Sequence, residues 1–155
     1  MINEQHTMAY RNVASKLYNF YPEEIGEAIK DLTAILEKYR YHPTGDLFYS
    51  MISEPTAEMM TAEIFIPIEE ALLNVPKEEE VRFRSYFLIK NTIAARLINQ
   101  FDEQSQVKYW ELVAYAEDKG LRRSTPFFVE YKRTYRGTFY VVMNFGVENA
   151  AVAIK

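Results

Sequence analysis

The sequence predicts an α+β fold built from two tandem copies of a strand–helix–strand–strand unit, and three observations carry that prediction. The first is a match of the 155-residue chain to itself: residues 10–51 set against 90–131 agree at eight of 42 positions without a gap. Arg11-Asn-Val-Ala-Ser-Lys-Leu-Tyr-Asn falls over Asn91-Thr-Ile-Ala-Ala-Arg-Leu-Ile-Asn, and the same register runs on through Glu23/Glu103, Leu32/Leu112, Ala34/Ala114, Glu37/Glu117 and Phe48/Phe128. The second is a helical stripe of apolar residues that follows the first strand pattern. The third is the order of elements, which is the same in both halves. Self-similarity at a fixed spacing implies a repeated structural unit.

Residues 8–20 are rich in Val, Leu, Tyr and Phe and read as a strand. Pro22 suits a first helical turn, and Glu23 and Glu24 sit where the positive end of the helix dipole favours acids. Ile25, Ala28, Ile29, Leu32, Ile35, Leu36 and Tyr39 recur with helical spacing and form one buried face. His42-Pro-Thr-Gly-Asp closes that helix. Leu47-Phe-Tyr-Ser-Met-Ile and Ala62-Glu-Ile-Phe-Ile-Pro-Ile read as the two strands of a hairpin around residues 53–58. After it the register slips by one, so that Ile68-Glu-Glu-Ala falls over Val147-Glu-Asn-Ala.

Residues 71–81 form the link between a first repeat of about 8–70 and a second of about 82–150, within one domain spanning 1–155. The second repeat reads as a strand over 83–99, a helix over 102–118 and strands at 126–133 and 138–147, turned around Tyr135-Arg-Gly-Thr. Gly120 stands where a left-handed helix cap is wanted, with Leu121 beside it for the accompanying apolar contact. Two such units, each with sheet edges and a face to cover, would meet in a cleft of the kind that holds ligands.

Composition narrows the function. Hydrophobic residues are 48% and charged residues 26%, which is globular composition. Net charge is −4, so phosphate neutralisation gives nucleic acid little to bind. Lys119, Arg122, Arg123, Lys132, Arg133 and Arg136 read as a solvated basic face. With no cysteine, disulfides, zinc–thiolate sites and thiol nucleophiles are excluded. The opening Met1-Ile-Asn-Glu-Gln-His lacks the regions of a signal peptide, and no apolar run approaches a membrane span, which leads us to expect a cytoplasmic protein without a membrane partner.

His6 and His42 stand far apart in the sequence without companion ligands, so no metal and no cofactor are expected. Gly-rich phosphate loops and nucleophile elbows are absent. The informative acid is Glu130, alone in the apolar strand Phe127-Phe-Val-Glu-Tyr. Alternation places Phe128 and Glu130 on one face and Phe127, Val129 and Tyr131 on the other. A buried carboxylate there favours a bound cation or a neutral acid, whereas on an outer face it is merely solvated. Glu63 repeats the theme in the first half, where a solvated acid at a strand edge is the simpler reading. Aromatics reach 15%, with 12 Tyr and 10 Phe, and they suit either a cleft wall or plain core packing. Trp110 aligns with Lys30, a solvent-side position, and so reads as an exposed interface residue.

Pro43-Thr-Gly-Asp-Leu-Phe-Tyr followed by Ala62-Glu-Ile-Phe-Ile-Pro-Ile-Glu resembles the signature of GyrI-like domains, the effector-binding domains of bacterial transcription activators. The resemblance implies a duplicated, GyrI-like and SOUL-like pseudo-two-fold arrangement and a cleft that accepts small organic molecules, in several members cationic and aromatic. It implies ligand walls from Phe128, Glu130, Tyr131 and Tyr49, with Glu63 as the corresponding acid of the first half. Glu130-Tyr131 matches the family's Glu-Tyr pattern, whereas Arg123-Ser-Thr-Pro lacks its glycine and Val142 stands where an acid is often found. The size and aromatic content also resemble, more weakly, a small Bacillota group encoded near type VII secretion toxins. The leading expectation is therefore a non-catalytic small-molecule-binding domain. One alternative is an interaction module that meets a protein partner or a second copy through Trp110. Another is a small hydrolase, with Glu130 and a tyrosine as acid and base.

Overall fold

The computed structural model describes residues 2–54, 56–98, 101–133 and 136–149, with backbone alone for 101–103. The chain divides into two compact units, Ala9–Leu88 and Met1–Met8 together with Ile89–Lys155. Both boundaries fall inside long strands, β1 (Ile2–Phe20) and β4 (Arg82–Leu97).

In the first unit β1 leads through a 3-10 turn, Pro22–Glu24, into α1 (Ile25–Lys38), then β2 (Leu47–Met51) and β3 (Met60–Pro67). The helix starts where the sequence marks it. Glu24 reaches back to accept from the Tyr21 amide at 3.0 Å, a carboxylate at the positive end of the helix. It stops through backbone geometry that propensity does not announce. Arg40 takes a left-handed φ of 64°, and the amides of Arg40 and Tyr41 donate to the carbonyls of Glu37 and Leu36. That pairing is the Schellman closure.

β3 is the central strand of this unit, antiparallel to β1 (Val13↔Pro67 to Phe20↔Met60) and to β2 (Phe48↔Phe65 to Met51↔Ala62). Because strand side chains alternate, the residues divide cleanly between two faces. Ala14, Ala62, Ile64 and Ile66 pack with Ala28, Leu32 and Leu36 of α1 in one core, against which Tyr18, Ile29 and Tyr49 also lie. Burying Leu32 and Leu36 completely is worth roughly 1.5–3 kcal/mol each. Ser15, Phe48, Ser50, Glu63 and Phe65 occupy the opposite face.

In the second unit the order is β4, α2 (Phe101–Asp118), β5 (Leu121–Arg123), β6 (Phe127–Arg133) and β7 (Phe139–Asn149). β7 is central, antiparallel to β6 (Phe128↔Asn144 to Arg133↔Phe139) and, further along, to β5, and along its other edge to β4. Gly120 closes α2 with φ 67°, and its amide donates to the carbonyl of Glu117 at 3.2 Å. On the helix side Tyr109 stacks on Phe127 with centroids 4.0 Å apart, and Phe127 meets Phe145 at 4.6 Å.

The predicted elements are present, with two differences. β1 begins at Ile2 rather than near residue 8, and β5 is an additional short strand. The turn expected around Tyr135 lies in part outside the described residues. Among the described residues, no helix is long and apolar enough to cross a membrane.

Candidate functional site

The second unit buries an acidic side chain. Glu130 is 1% exposed, in the middle of β6 on the face turned away from α2. Its Oε2 accepts from the ring Nε2 of His6 at 2.6 Å and from Nδ2 of Asn144 at 2.9 Å. Its Oε1 lies 3.3 Å from Nζ of Lys132, two residues along the same strand. Each partner is delivered by local structure. Asn144 stands on the central strand opposite Phe128, on the same face as Glu130. His6 is held in place because Thr92 Oγ1 donates to its carbonyl at 2.7 Å, while Thr7 Oγ1 donates to the Lys90 carbonyl at 3.0 Å. Thus residue 6, which the sequence leaves in a terminal segment, is strand-bound and part of the site.

A buried carboxylate costs several kcal/mol to desolvate unless paired and hydrogen-bonded. Here His6, Lys132 and Asn144 meet that cost within the chain, so Glu130 does not require a cationic ligand. Asn144, fully buried, retains one unmet need. Its Nδ2 must face the carboxylate, since an amide oxygen there would repel it, and its Oδ1 is left without a hydrogen-bond partner among the described residues. Leaving a buried acceptor unmet costs about 1–3 kcal/mol. The network reaches solvent at His6 and Lys132, whose side chains are 19% and 33% exposed.

The first unit has its own version. Glu63, also buried, accepts from Ser15 Oγ at 2.6 Å and lies 3.5 Å from Arg84 Nη1. The Arg84 guanidinium sits over Phe65 and Phe87 at 5.4 and 5.9 Å. Phe65 in turn stacks on Phe48, which stacks on Tyr10, both at 4.5 Å. The two acids occupy matching rungs from opposite strands: Ser50 faces Glu63 in one unit, and Glu130 faces Val142 in the other.

Of the expected site residues, the structure brings Glu130 and Phe128 together with Asn144. It turns Tyr131 to the other face, where its ring meets Phe139 at 5.5 Å, because successive side chains of a strand point oppositely. For the same reason Tyr49 joins the α1 core rather than the face of Glu63. Trp110 is 52% exposed and edge-on to Tyr109. His42, which the sequence leaves without companion ligands, gains two acidic neighbours by folding. Antiparallel pairing brings His42, Glu69 and Glu70 together, with their ligand atoms within 4.8 Å of one another. The hydrogen bond to Glu70 raises the pKa of His42 above its usual value, and its partner bond holds Glu70 below the usual carboxylate range.

The mixed α/β architecture, mostly strand with two helices, matches that of the GyrI-like domain of EcmrR. The C-terminal domain of EcmrR superposes with a TM-score of 0.64 at 13% identity, covering 94% of this chain and 98% of that one. In the cryo-EM structure of an EcmrR–DNA complex the TM-score is 0.74 at 14% identity, covering 96% of this chain. There the match spans only 58% of the EcmrR chain. At such identities the likeness is one of fold. By sequence, residues 9–149 match the profile of the domain of unknown function DUF5085, and the chain belongs to that family. The resemblance to GyrI-like domains therefore holds for the fold, while the family is DUF5085. A search of the curated proteins finds no match.

Proposed function

We propose that this chain is a ligand-binding module whose ligand is a small, partly aromatic organic molecule with an N–H or O–H donor, taken up on the face of β6 and β7 that carries Phe128, Glu130 and Asn144. The observation that carries the reading is the buried Glu130 network with its one unanswered acceptor, Asn144 Oδ1. Folding alone gives little reason for it, because apolar residues of similar volume in such a place are often neutral or stabilising. An unsatisfied buried acceptor also calls for a partner, which the described residues do not supply. Phe128 adds an aromatic wall. The fold shared with EcmrR supports the same class of function, and the net charge of −4 favours a small molecule over nucleic acid.

The test is a thermal-shift screen of aromatic compounds, neutral and cationic, with and without a donor, on the wild type and Glu130→Gln. A ligand at about 100 times its Kd adds roughly 2.7 kcal/mol, a rise of about 5–10 °C in Tm. The proposal expects such a rise from donor-bearing compounds, lost in the variant. No rise across the library, or an equal rise in both proteins, would count against it.

A second reading rests on α2. Val107 and Trp110 are 48% and 52% exposed one turn apart, while Tyr109, Leu112 and Ala116 are buried. An apolar stripe with a tryptophan suits a protein partner or a second copy. In that case Trp110→Ala changes the mass measured by light scattering and leaves every small-molecule response intact.

A further inference from the structure

His42, Glu69 and Glu70 in the first unit take no part in the functions proposed above. His42 precedes Pro43 in the segment leading to β2, and Glu69 and Glu70 follow directly on β3. The two segments are zipped together. Pro43 and Ile68 form an antiparallel bridge, the Thr44 amide donates to the Pro67 carbonyl at 3.0 Å, and the Glu69 amide donates to the His42 carbonyl at 2.9 Å. The His42 amide donates to Glu70 Oε1 at 3.0 Å, and the ring Nδ1 lies 2.5 Å from Glu70 Oε2.

We propose that this cluster is a binding site for a transition-metal dication, Zn²⁺ in the first instance, with His42 Nδ1 and one carboxylate oxygen each from Glu69 and Glu70 as protein ligands. Three points support it. The candidate ligand atoms already lie within 4.8 Å of one another, so modest side-chain rotation places an ion about 2.0–2.2 Å from each. An imidazole with two carboxylates suits Zn²⁺, whereas Ca²⁺ and Mg²⁺ prefer oxygen-only sets. The backbone zipper fixes the spacing between the two segments before any ion arrives, and the bond from the His42 amide to Glu70 Oε1 orients the ligating carboxylate, as partners behind metal ligands commonly do. The ion would replace the proton shared between Nδ1 and Oε2. The exposure of His42 and Glu69 leaves a fourth position to water.

The test uses the untagged full chain and zinc chloride. Calorimetry should give saturable one-to-one binding, at least about tenfold weaker in His42→Ala and in Glu70→Gln, with no competition from equal Mg²⁺ or Ca²⁺. Because the chain has only 2 histidines, imidazole-nitrogen NMR of the wild type provides an independent check: His42 signals should move with Zn²⁺ and those of His6 should not. Absence of saturable binding, unchanged affinity in His42→Ala, or a response at His6 in place of His42 would each overturn the proposal.

Discussion

Replacing Glu130 with methionine removes the hydrogen-bond partner of Asn144 Nδ2 and of His6 Nε2 and the counter-charge of Lys132. Breaking a fully buried ion pair costs about 3–5 kcal/mol. Here His6 and Lys132 are partly exposed and can turn their polar ends to water, which places the cost at the low end, about 3 kcal/mol. What cannot escape is Asn144, fully buried and then unsatisfied at both its amide nitrogen and its oxygen. Asn144→Leu alone leaves Glu130 with His6 and Lys132 and removes an unmet acceptor, so its cost is about 1 kcal/mol, that of one net hydrogen bond. The double variant buries no orphan, and replacing both members of a buried polar pair by apolar groups is close to neutral. The two substitutions should therefore be strongly non-additive, the double being more stable than Glu130→Met alone, with a coupling of about 4 kcal/mol, the two single costs less a near-neutral double. Urea denaturation of the four proteins measures it, with unchanged m-values as the check that the denatured state is the same. Additivity within about 0.5 kcal/mol would refute the reasoning that Glu130 and Asn144 form one energetic unit.

Two further outcomes are expected. Gly146→Ala should destabilise by about 1–3 kcal/mol through overpacking. A Cβ there would stand 2.7 Å from Thr125 Cγ2 and 3.1 Å from Ile89 Cγ2, and Thr125 cannot swing away while its Oγ1 accepts from the Gly146 amide at 2.7 Å; a neutral result in thermal denaturation would contradict this packing. In metal-free protein, NMR titration should place the His42 midpoint above 6.5, moving down toward it in Glu70→Gln. Since the folded-state pKa of His42 is raised, its stabilising contribution is complete below 6.5 and is lost as pH rises through the folded value. That of Glu70, whose pKa is lowered, is present above its usual 4.5 and is lost as pH falls through the folded value.

Much of the fold was legible because it is written in short-range periodicity. The stripe Ala28, Leu32, Ile35, Leu36 is buried as its spacing requires, and Gly120 takes the left-handed cap that its position demands. The first residues of β1 were not legible, because Ile-Asn-Glu-Gln-His-Thr shows no apolar alternation; side chains of Thr7 and Thr92 tie that segment to β4. β5 is three residues long and is held by pairing with β7, reinforced by an Arg122–Glu148 ion pair. Within the site, Glu130 could be singled out as the lone acid of an apolar strand. Asn144 carries the same signal, a lone amide in Val141-Val-Met-Asn-Phe. His6 lies 124 residues from Glu130 and His42 lies 28 from Glu70, so only folding could reveal either pairing. Alternation, applied strictly, already separated Tyr131 from Glu130, as the structure does.

The central claim, a ligand held at Phe128, Glu130 and Asn144, is tested most directly by an amide NMR titration with the most stabilising compound from the thermal screen. The account predicts that the largest changes fall on β6 and β7 around these residues, together with the Asn144 side-chain amide, and that they vanish in Glu130→Gln. Changes confined to α2 around Trp110, with β6 and β7 silent, would contradict it.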